Sequence, residues 1–289
     1  MHKFPSIYII GAQKSGTTTL YSWLKQDQRI QFPKIKETHF FSTNYRFGKK
    51  WYLKQFDSAN ESLKMEIDPS YLFYQESLQR ILRLAQCPKF VVILRKPIER
   101  AYSHYLMSKY RGYEKLTFFD ALDAEHDRLT NNNDFSFNNF SYLKRSEYCN
   151  QLKYLLSITS KDNCHFISFT EAFNTNSRNT LKELYQFMGL DYENNININI
   201  ISNQSHTYKS RKLRDLIYKD NSLRNIFKYI IPFYTLRYNV KRFIDKINYS
   251  ENNSDLNLKH IPVKYIQWNN FIAEKTEEIT KLNLEDWKI

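Results

Sequence analysis

Between Gly11 and Gly16 the chain reads Gly-Ala-Gln-Lys-Ser-Gly, and three threonines follow, Thr17, Thr18 and Thr19. Two glycines let the backbone curl tightly, so that successive N–H groups point into the concavity, and a helix that starts after the second glycine adds partial positive charge. Lys14 places a full charge inside that curl, which makes the stretch a cradle for a phosphate-like anion. Nucleoside triphosphatases put the lysine directly after the second glycine and follow it with a Ser or Thr for magnesium. Here Lys14 precedes Gly16 and Thr17 follows it. The arrangement grips phosphate without an evident magnesium ligand and points away from ATP or GTP hydrolysis. Only five glycines occur in the whole chain, and two of them bracket this loop.

A second group of residues could meet the same kind of ligand. Phe90-Val-Val-Ile-Leu94 ends in Arg95-Lys-Pro97-Ile-Glu99-Arg100-Ala-Tyr102-Ser103. The apolar run is too short and too β-branched for a helix and reads as a buried strand, while Pro97 sits where a helix can begin. Arg95 at the strand's carboxyl end and Ser103 on the next helix can then converge at the edge where open parallel sheets bind ligands.

The elements that must position these groups alternate between strand and helix. Ile7 to Ile10, Leu63 to Ile67, Phe90 to Leu94 and His165 to Phe169 read as strands. Leu20 to Lys25, Gln75 to Leu84, Arg145 to Ser157 and Thr180 to Met188 read as helices. The pattern predicts an α/β fold, a P-loop-like three-layer sandwich whose mostly parallel central sheet is flanked by helices. The asparagine-rich stretches Asn131 to Asn139 and Asn194 to Ser205 read as exposed loops.

These two signatures, in this order and on these elements, resemble the 5′-phosphosulfate loop and the 3′-phosphate motif of sulfotransferases that use 3′-phosphoadenylyl sulfate (PAPS). Further segments resemble the branch of that family that sulfates heparan-type sugars: Lys36-Glu37-Thr38-His39-Phe40-Phe41, Met65-Glu66-Ile67-Asp68-Pro69-Ser70-Tyr71, Phe169 to Phe173, Leu181 to Leu190, Lys209-Ser-Arg211-Lys212 and Ile279 to Trp287. The resemblance covers nearly the full chain. It implies that Lys14 offsets charge growing on the leaving phosphate, and that Ser15, Gly16, Thr17, Thr18 and Thr19 bind the 5′-phosphate. It implies that Arg95 and Ser103 hold the 3′-phosphate, a task that suits a planar guanidinium, and that Lys209, Arg211 and Lys212 close over the nucleotide. Glu37 becomes the general base for the acceptor hydroxyl or amine, with His39 as its active-site companion. Two positions depart from the branch pattern: Ser42 stands where an acidic residue is common, and Ile67 where a lysine is common.

Composition agrees with this reading. The 289 residues are 42% hydrophobic, enough for one good core, and a single sulfotransferase domain over 1–289 is expected. A formal net charge of +13 calls for anionic partners, among them PAPS and a carbohydrate or glycoconjugate acceptor. A small hydroxylated metabolite is the alternative acceptor, and a kinase-like P-loop protein the alternative class. The basic residues are dispersed and carry no nucleic-acid module signature, which argues against a nucleic-acid partner. No run approaches the ~20 apolar residues that span a bilayer, so a cytoplasmic enzyme is expected. Cys87, Cys149 and Cys164 lack metal or disulfide spacing, and no metal site is expected. Residues 221–260 interleave aromatics with Lys and Arg, either as short amphipathic helices broken at Pro232 or as a peripheral element touching the inner membrane face.

Overall fold

The apolar runs become the strands of one parallel sheet, because a strand covered by helices on both faces has no polar side to alternate. The computed structural model describes residues 4–57, 62–130, 133–200, 206–218, 240, 243–245, 247–251 and 260–289. Strands β1 (Ile7–Gly11), β2 (Ile30–Gln31), β3 (Leu63–Ile67), β4 (Lys89–Leu94) and β5 (Cys164–Ser168) run in the order β2-β3-β1-β4-β5, and each neighbouring pair is parallel. The expected α/β sandwich is what forms. The four strands read from the sequence are present to within a residue at each end.

Side-chain alternation sorts the strands onto two cores. Ile7, Ile9, Val91 and Ile93 face α1 (Thr17–Leu24) and α9 (Ser177–Met188), where they pack with Leu20, Trp23, Leu181, Leu184 and Tyr185. Tyr8, Ile10, Phe90, Val92 and Leu94 point the other way, onto Leu78 and Ile81 of α3 (Gln75–Leu84), Leu152 and Leu155 of α8 (Tyr148–Ile158), and Ile272 and Ala273 of α11 (Val263–Thr280). One period-2 strand therefore closes both hydrophobic layers.

Three expectations are corrected at element ends. Asn131 to Asn139 is not all loop: Asp134–Asn139 is helix α7, since the Asn133 side chain accepts the Ser136 N–H at 2.9 Å and caps it. Asparagine suggested a loop, yet at this position it starts a helix. Helix α8 begins at Tyr148 rather than Arg145, because Lys144–Ser146 forms a tighter turn in which Ser146 Oγ donates to Pro97 O at 3.0 Å. Helix α9 starts three residues before the sequence suggested, at Ser177, with the Thr180 N–H already bonded to Asn176 O.

The chain divides into two compact units. The first comprises residues 1–100, 145–202 and 258–289 and holds the parallel sheet. The second comprises 101–144 and 203–257. It contains α5 (Phe118–Asp123), α6 (Glu125–Thr130), α7, α10 (Arg211–Tyr218) and the antiparallel pair β6 (His206–Tyr208) and β7 (Tyr249–Glu251). Helix α4 (Pro97–Tyr110) starts in the first unit and continues into the second. Inside the second unit the buried Glu114 carboxylate takes Arg128 Nη1 at 2.5 Å and the Tyr142 hydroxyl at 2.8 Å, so the charge that burial penalises is compensated. Pro232 and most of the basic-aromatic 221–260 stretch lie outside the described residues. Among the described residues no helix is long and apolar enough to cross a membrane.

The carboxyl terminus locks the first unit. Asn269 on α11 accepts the Ile98 N–H at 3.2 Å at the start of α4, and its amide donates to Trp287 O at 2.7 Å. Trp287 is fully buried beside Tyr148. Trp287→Ala is expected to lower unfolding free energy by about 3–5 kcal/mol in a urea titration, the range for losing a buried large aromatic. A loss below ~1 kcal/mol would mean that this segment does not close the core.

Candidate active site

The loop after β1 is built on conformations that most residues avoid. Gly16 has φ 81° and caps α1, and Lys14 stands at φ 74°. A Cβ on Gly16 would lie 2.3 Å from the Phe173 ring, and one on Gly11 would lie 2.7 Å from Leu72, so both glycines allow close approach, and Gly16 also makes the turn. Gly16 caps α1 without a side-chain hydrogen bond, and no acidic residue sits in the first turn. That end of the helix keeps its positive field for an anion. Ser15 is fully buried, while Thr17, Thr18 and Thr19 form the first turn itself.

Glu37 and His39 also adopt left-handed backbone, with φ 57° and 50°. Among the described residues five non-glycine residues have positive φ, and three of them are the candidate catalytic residues Lys14, Glu37 and His39. Such strain persists only where surrounding contacts hold it. The contacts are specific. The Lys36 ammonium donates to Thr18 Oγ1 and to Glu37 Oε1, each at 2.8 Å, which ties the first turn of α1 to the candidate base. Glu37 Oε2 has no partner among the described residues.

His39 is held by Asp68, which the sequence reading had not given a role. Asp68 Oδ2 accepts the His39 N–H at 2.8 Å and lies 2.9 Å from Nδ1, while Oδ1 accepts the Ser70 N–H at 3.1 Å. Burial, the largest single influence, would lower the His39 pKa, but the charge and hydrogen bond of Asp68, together with the charges of Glu37 and Glu66, outweigh it and push the imidazole up to about 9. Burial likewise opposes the Asp68 carboxylate, and the imidazolium holds it below the usual range. The carboxylate beside the imidazole thus comes from the segment after β3. Ser42 instead donates its hydroxyl to His39 O at 3.3 Å. Ile67, the other departure, is 2% exposed and joins the apolar cluster under α1 and α9.

Beneath this pair lies Glu66, fully buried and also unassigned from sequence. Thr38 Oγ1 donates to its Oε1, Tyr71 OH donates to the same oxygen at 3.1 Å, and Tyr52 OH donates to Oε2 at 2.5 Å. Burial first, and the Asp68 charge second, raise the Glu66 pKa to about 7. Acidic residues inside an aromatic segment gave a signal, but only tertiary packing shows that Tyr52 meets Glu66.

Arg95 lies just beyond β4, its guanidinium 4.6 Å from the Phe169 ring and 3.2 Å from Glu99 Oε2. Its carbonyl accepts the Tyr148 hydroxyl at 2.8 Å. Ser103 sits farther along α4, partly exposed. Arg100, quoted in the motif without a role, is wholly buried; its Nε donates to Ser146 Oγ at 2.5 Å and its Nη1 to Gln13 O at 3.4 Å. In the second unit Lys209 follows β6 and Arg211 and Lys212 open α10, all three exposed, with Ser210 between them fixed by Asn248 through Ser210 N at 2.7 Å and Ser210 O at 2.9 Å.

This loop at the carboxyl end of a parallel strand, with its lysine, is the arrangement of a P-loop-like group transferase, and the family can be stated directly. Residues 4–225 match the sulfotransferase domain family, and the chain belongs to it. It is 32% identical over 108 residues to membrane-associated sulfotransferase kil1 of Dictyostelium discoideum, which covers 36% of this chain and 23% of that protein. It is 31% identical over 122 residues to heparan sulfate glucosamine 3-O-sulfotransferase 3A1 of Mus musculus, covering 40% of this chain and 31% of that one. The matched stretch thus spans less than a third of either relative. A crystal structure of a sulfotransferase from Alicyclobacillus acidocaldarius shares the fold, with a TM-score of 0.69 over 98% of both chains at 19% identity.

The raised His39 pKa sets a pH dependence. His39 holds, up to about pH 9, a proton that the unfolded chain releases near 6.5, so its stabilising contribution is full below pH 6.5 and lost as pH rises toward 9. Glu66, raised from 4.5 to about 7, acts in the lower window, where stability falls as pH rises through that interval. Between pH 7 and 9 the wild type should lose on the order of 1 kcal/mol, a figure discounted because the imidazole is partly exposed, relative to His39→Gln. Denaturant midpoints across that range measure it. Parallel slopes for the two proteins would rule out the Asp68–His39 ion pair.

Proposed function

We propose that the chain transfers a sulfuryl group from PAPS to a hydroxyl or amine of a carbohydrate or glycoconjugate, releasing adenosine 3′,5′-bisphosphate. The observation that carries this reading is the Lys36 bridge, which ties Thr18, on the first turn of the anion-binding helix, to Glu37. Donor cradle and base then stand on one rigid frame, as an in-line displacement requires. The donor set suits the nucleotide: Lys14 and an uncapped helix start for the 5′-phosphosulfate, and Arg95 with Ser103 for the 3′-phosphate. Lys209, Arg211 and Lys212 add cations that suit the same anion. The heparan-type substrate in a relative's name supports a sugar acceptor.

In this mechanism Glu37 Oε2 takes the proton as the acceptor oxygen or nitrogen bonds to sulfur. The bond from sulfur to the 5′-phosphate oxygen breaks, and Lys14 stabilises the charge left on that oxygen. His39, held protonated by Asp68, acts as a hydrogen-bond donor rather than a base. Lys14 and the loop amides take the part that magnesium plays in kinases, so no divalent ion enters a step.

Two measurements test this. Calorimetry should give tight binding of adenosine 3′,5′-bisphosphate without magnesium, weak binding of AMP, and a loss of about tenfold or more in Arg95→Ala, the scale for one charge-assisted phosphate contact. Equal affinity for AMP, or a magnesium requirement, would refute the donor. Glu37→Gln should cut turnover by roughly 10²–10⁴-fold while nucleotide affinity stays unchanged. Unchanged turnover would remove Glu37 from the role of base.

A further inference from the structure

Glu66 takes no part in the transfer described above, yet it is fully buried, where an apolar side chain would fill the space at less cost. Its partners give it a task. Two of its three hydroxyl donors also hold the chain around His39: Thr38 Oγ1 accepts the Phe40 N–H at 3.1 Å, and the Tyr71 hydroxyl accepts the Phe41 N–H at 3.3 Å. Tyr52, the third donor, bonds no backbone group of that turn among the described residues. Asn44 closes the turn from the other side, its amide donating to Thr38 O at 2.8 Å and its N–H to His39 O at 2.8 Å.

What these bonds add is direction. Phe40 and Phe41 already pack on Tyr52, with ring centres 4.4 and 5.2 Å away, but apolar contact does not fix which way a backbone turns. Hydrogen bonds do. An ionised carboxylate accepts and cannot donate, so it draws the hydroxyl protons of Thr38 and Tyr71 to itself and leaves their lone pairs facing the Phe40 and Phe41 N–H groups. His39 then stands between residues tied to one buried acid, at the φ of 50° from which its ring meets Asp68. Resting on the sulfotransferase reading above, we propose that Glu66 is a positioning residue: through the Thr38 and Tyr71 hydroxyls it fixes the turn that presents Glu37 and His39 to the acceptor. Being closed to solvent, Glu66 acts only through its neighbours.

Thr38→Val removes the bridging hydroxyl at nearly constant shape, and Thr38→Ser keeps it. The full chain, isotope-labelled at histidine and loaded with adenosine 3′,5′-bisphosphate, is titrated by NMR, with His39→Gln assigning the signal. Wild type should hold the His39 proton up to about pH 9. Thr38→Val should release it about one pH unit lower or more, and Thr38→Ser within about 0.3 unit of wild type. Turnover of a heparan-type polysaccharide with PAPS should fall roughly 10–100-fold in Thr38→Val and in Glu66→Gln at unchanged nucleotide affinity, and the double variant should be no slower than the slower single. Tyr52→Phe, which costs Glu66 a donor but spares the turn, should turn over about fivefold faster than Thr38→Val or better. An unshifted imidazole in Thr38→Val, a Thr38→Ser protein as impaired as Thr38→Val, or a Tyr52→Phe protein as slow as Thr38→Val overturns the proposal. Failure of the wild type to bind the nucleotide would count against the donor reading, and failure to sulfate the polysaccharide against the acceptor reading. In either case the imidazole titration of the unloaded chain still decides the role of Glu66.

Discussion

The buried Asp68 carboxylate is the joint on which the site turns. Strand β3 lies beside β1, and the chain leaving it stays bonded to β1's end, Asp68 N to Ile9 O at 3.0 Å and Leu72 N to Ile10 O at 2.9 Å. Asp68 is thereby fixed next to the strand that carries the anion loop. From there it binds both the backbone and the imidazole of His39, and so holds the left-handed turn at His39. An unpaired carboxylate in that place would be costly; with three donors it becomes an anchor. Glu66, two residues earlier on the same strand, repeats the device with three hydroxyl groups.

Charge at the site is arranged in two layers. Nearer the surface stand Lys14, Lys36, Glu37 and protonated His39, each partly exposed. Under them the buried Asp68 carries the negative charge, and after burial its repulsion is one reason Glu66 holds its proton into the neutral range. A histidine whose proton is secured from below stays a donor across the physiological range.

Much of this was legible in the sequence, because local chemistry fixed it. The anion loop needs glycines at set places, and β4 is apolar from Phe90 to Leu94 with a β-branched centre; both depend on near neighbours. The strands and the helix α3 followed from that. What stayed hidden depends on pairing across the fold. Nothing near Asp68 names His39 as its partner, nor does Arg100 announce that it reaches Gln13 O and Ser146. Phe169 lies far from Arg95 in sequence, and only the parallel pairing of β4 with β5 brings the two together. The boundaries of α7 and α8 were set by a cap and by a buried turn, which compositional reasoning does not weigh.

The Lys36 bridge carries a consequence for engineering. Because one ammonium joins Thr18 to Glu37, the anion loop is not a module that can be exchanged by itself. A loop grafted from a relative with another residue at position 18 would remove one of the contacts that hold the Lys36 ammonium and would alter the surroundings of Glu37 without touching it. Position 36 must travel with the graft. Diversification of the donor loop and of the acceptor chemistry is therefore coupled through a side chain that belongs to neither.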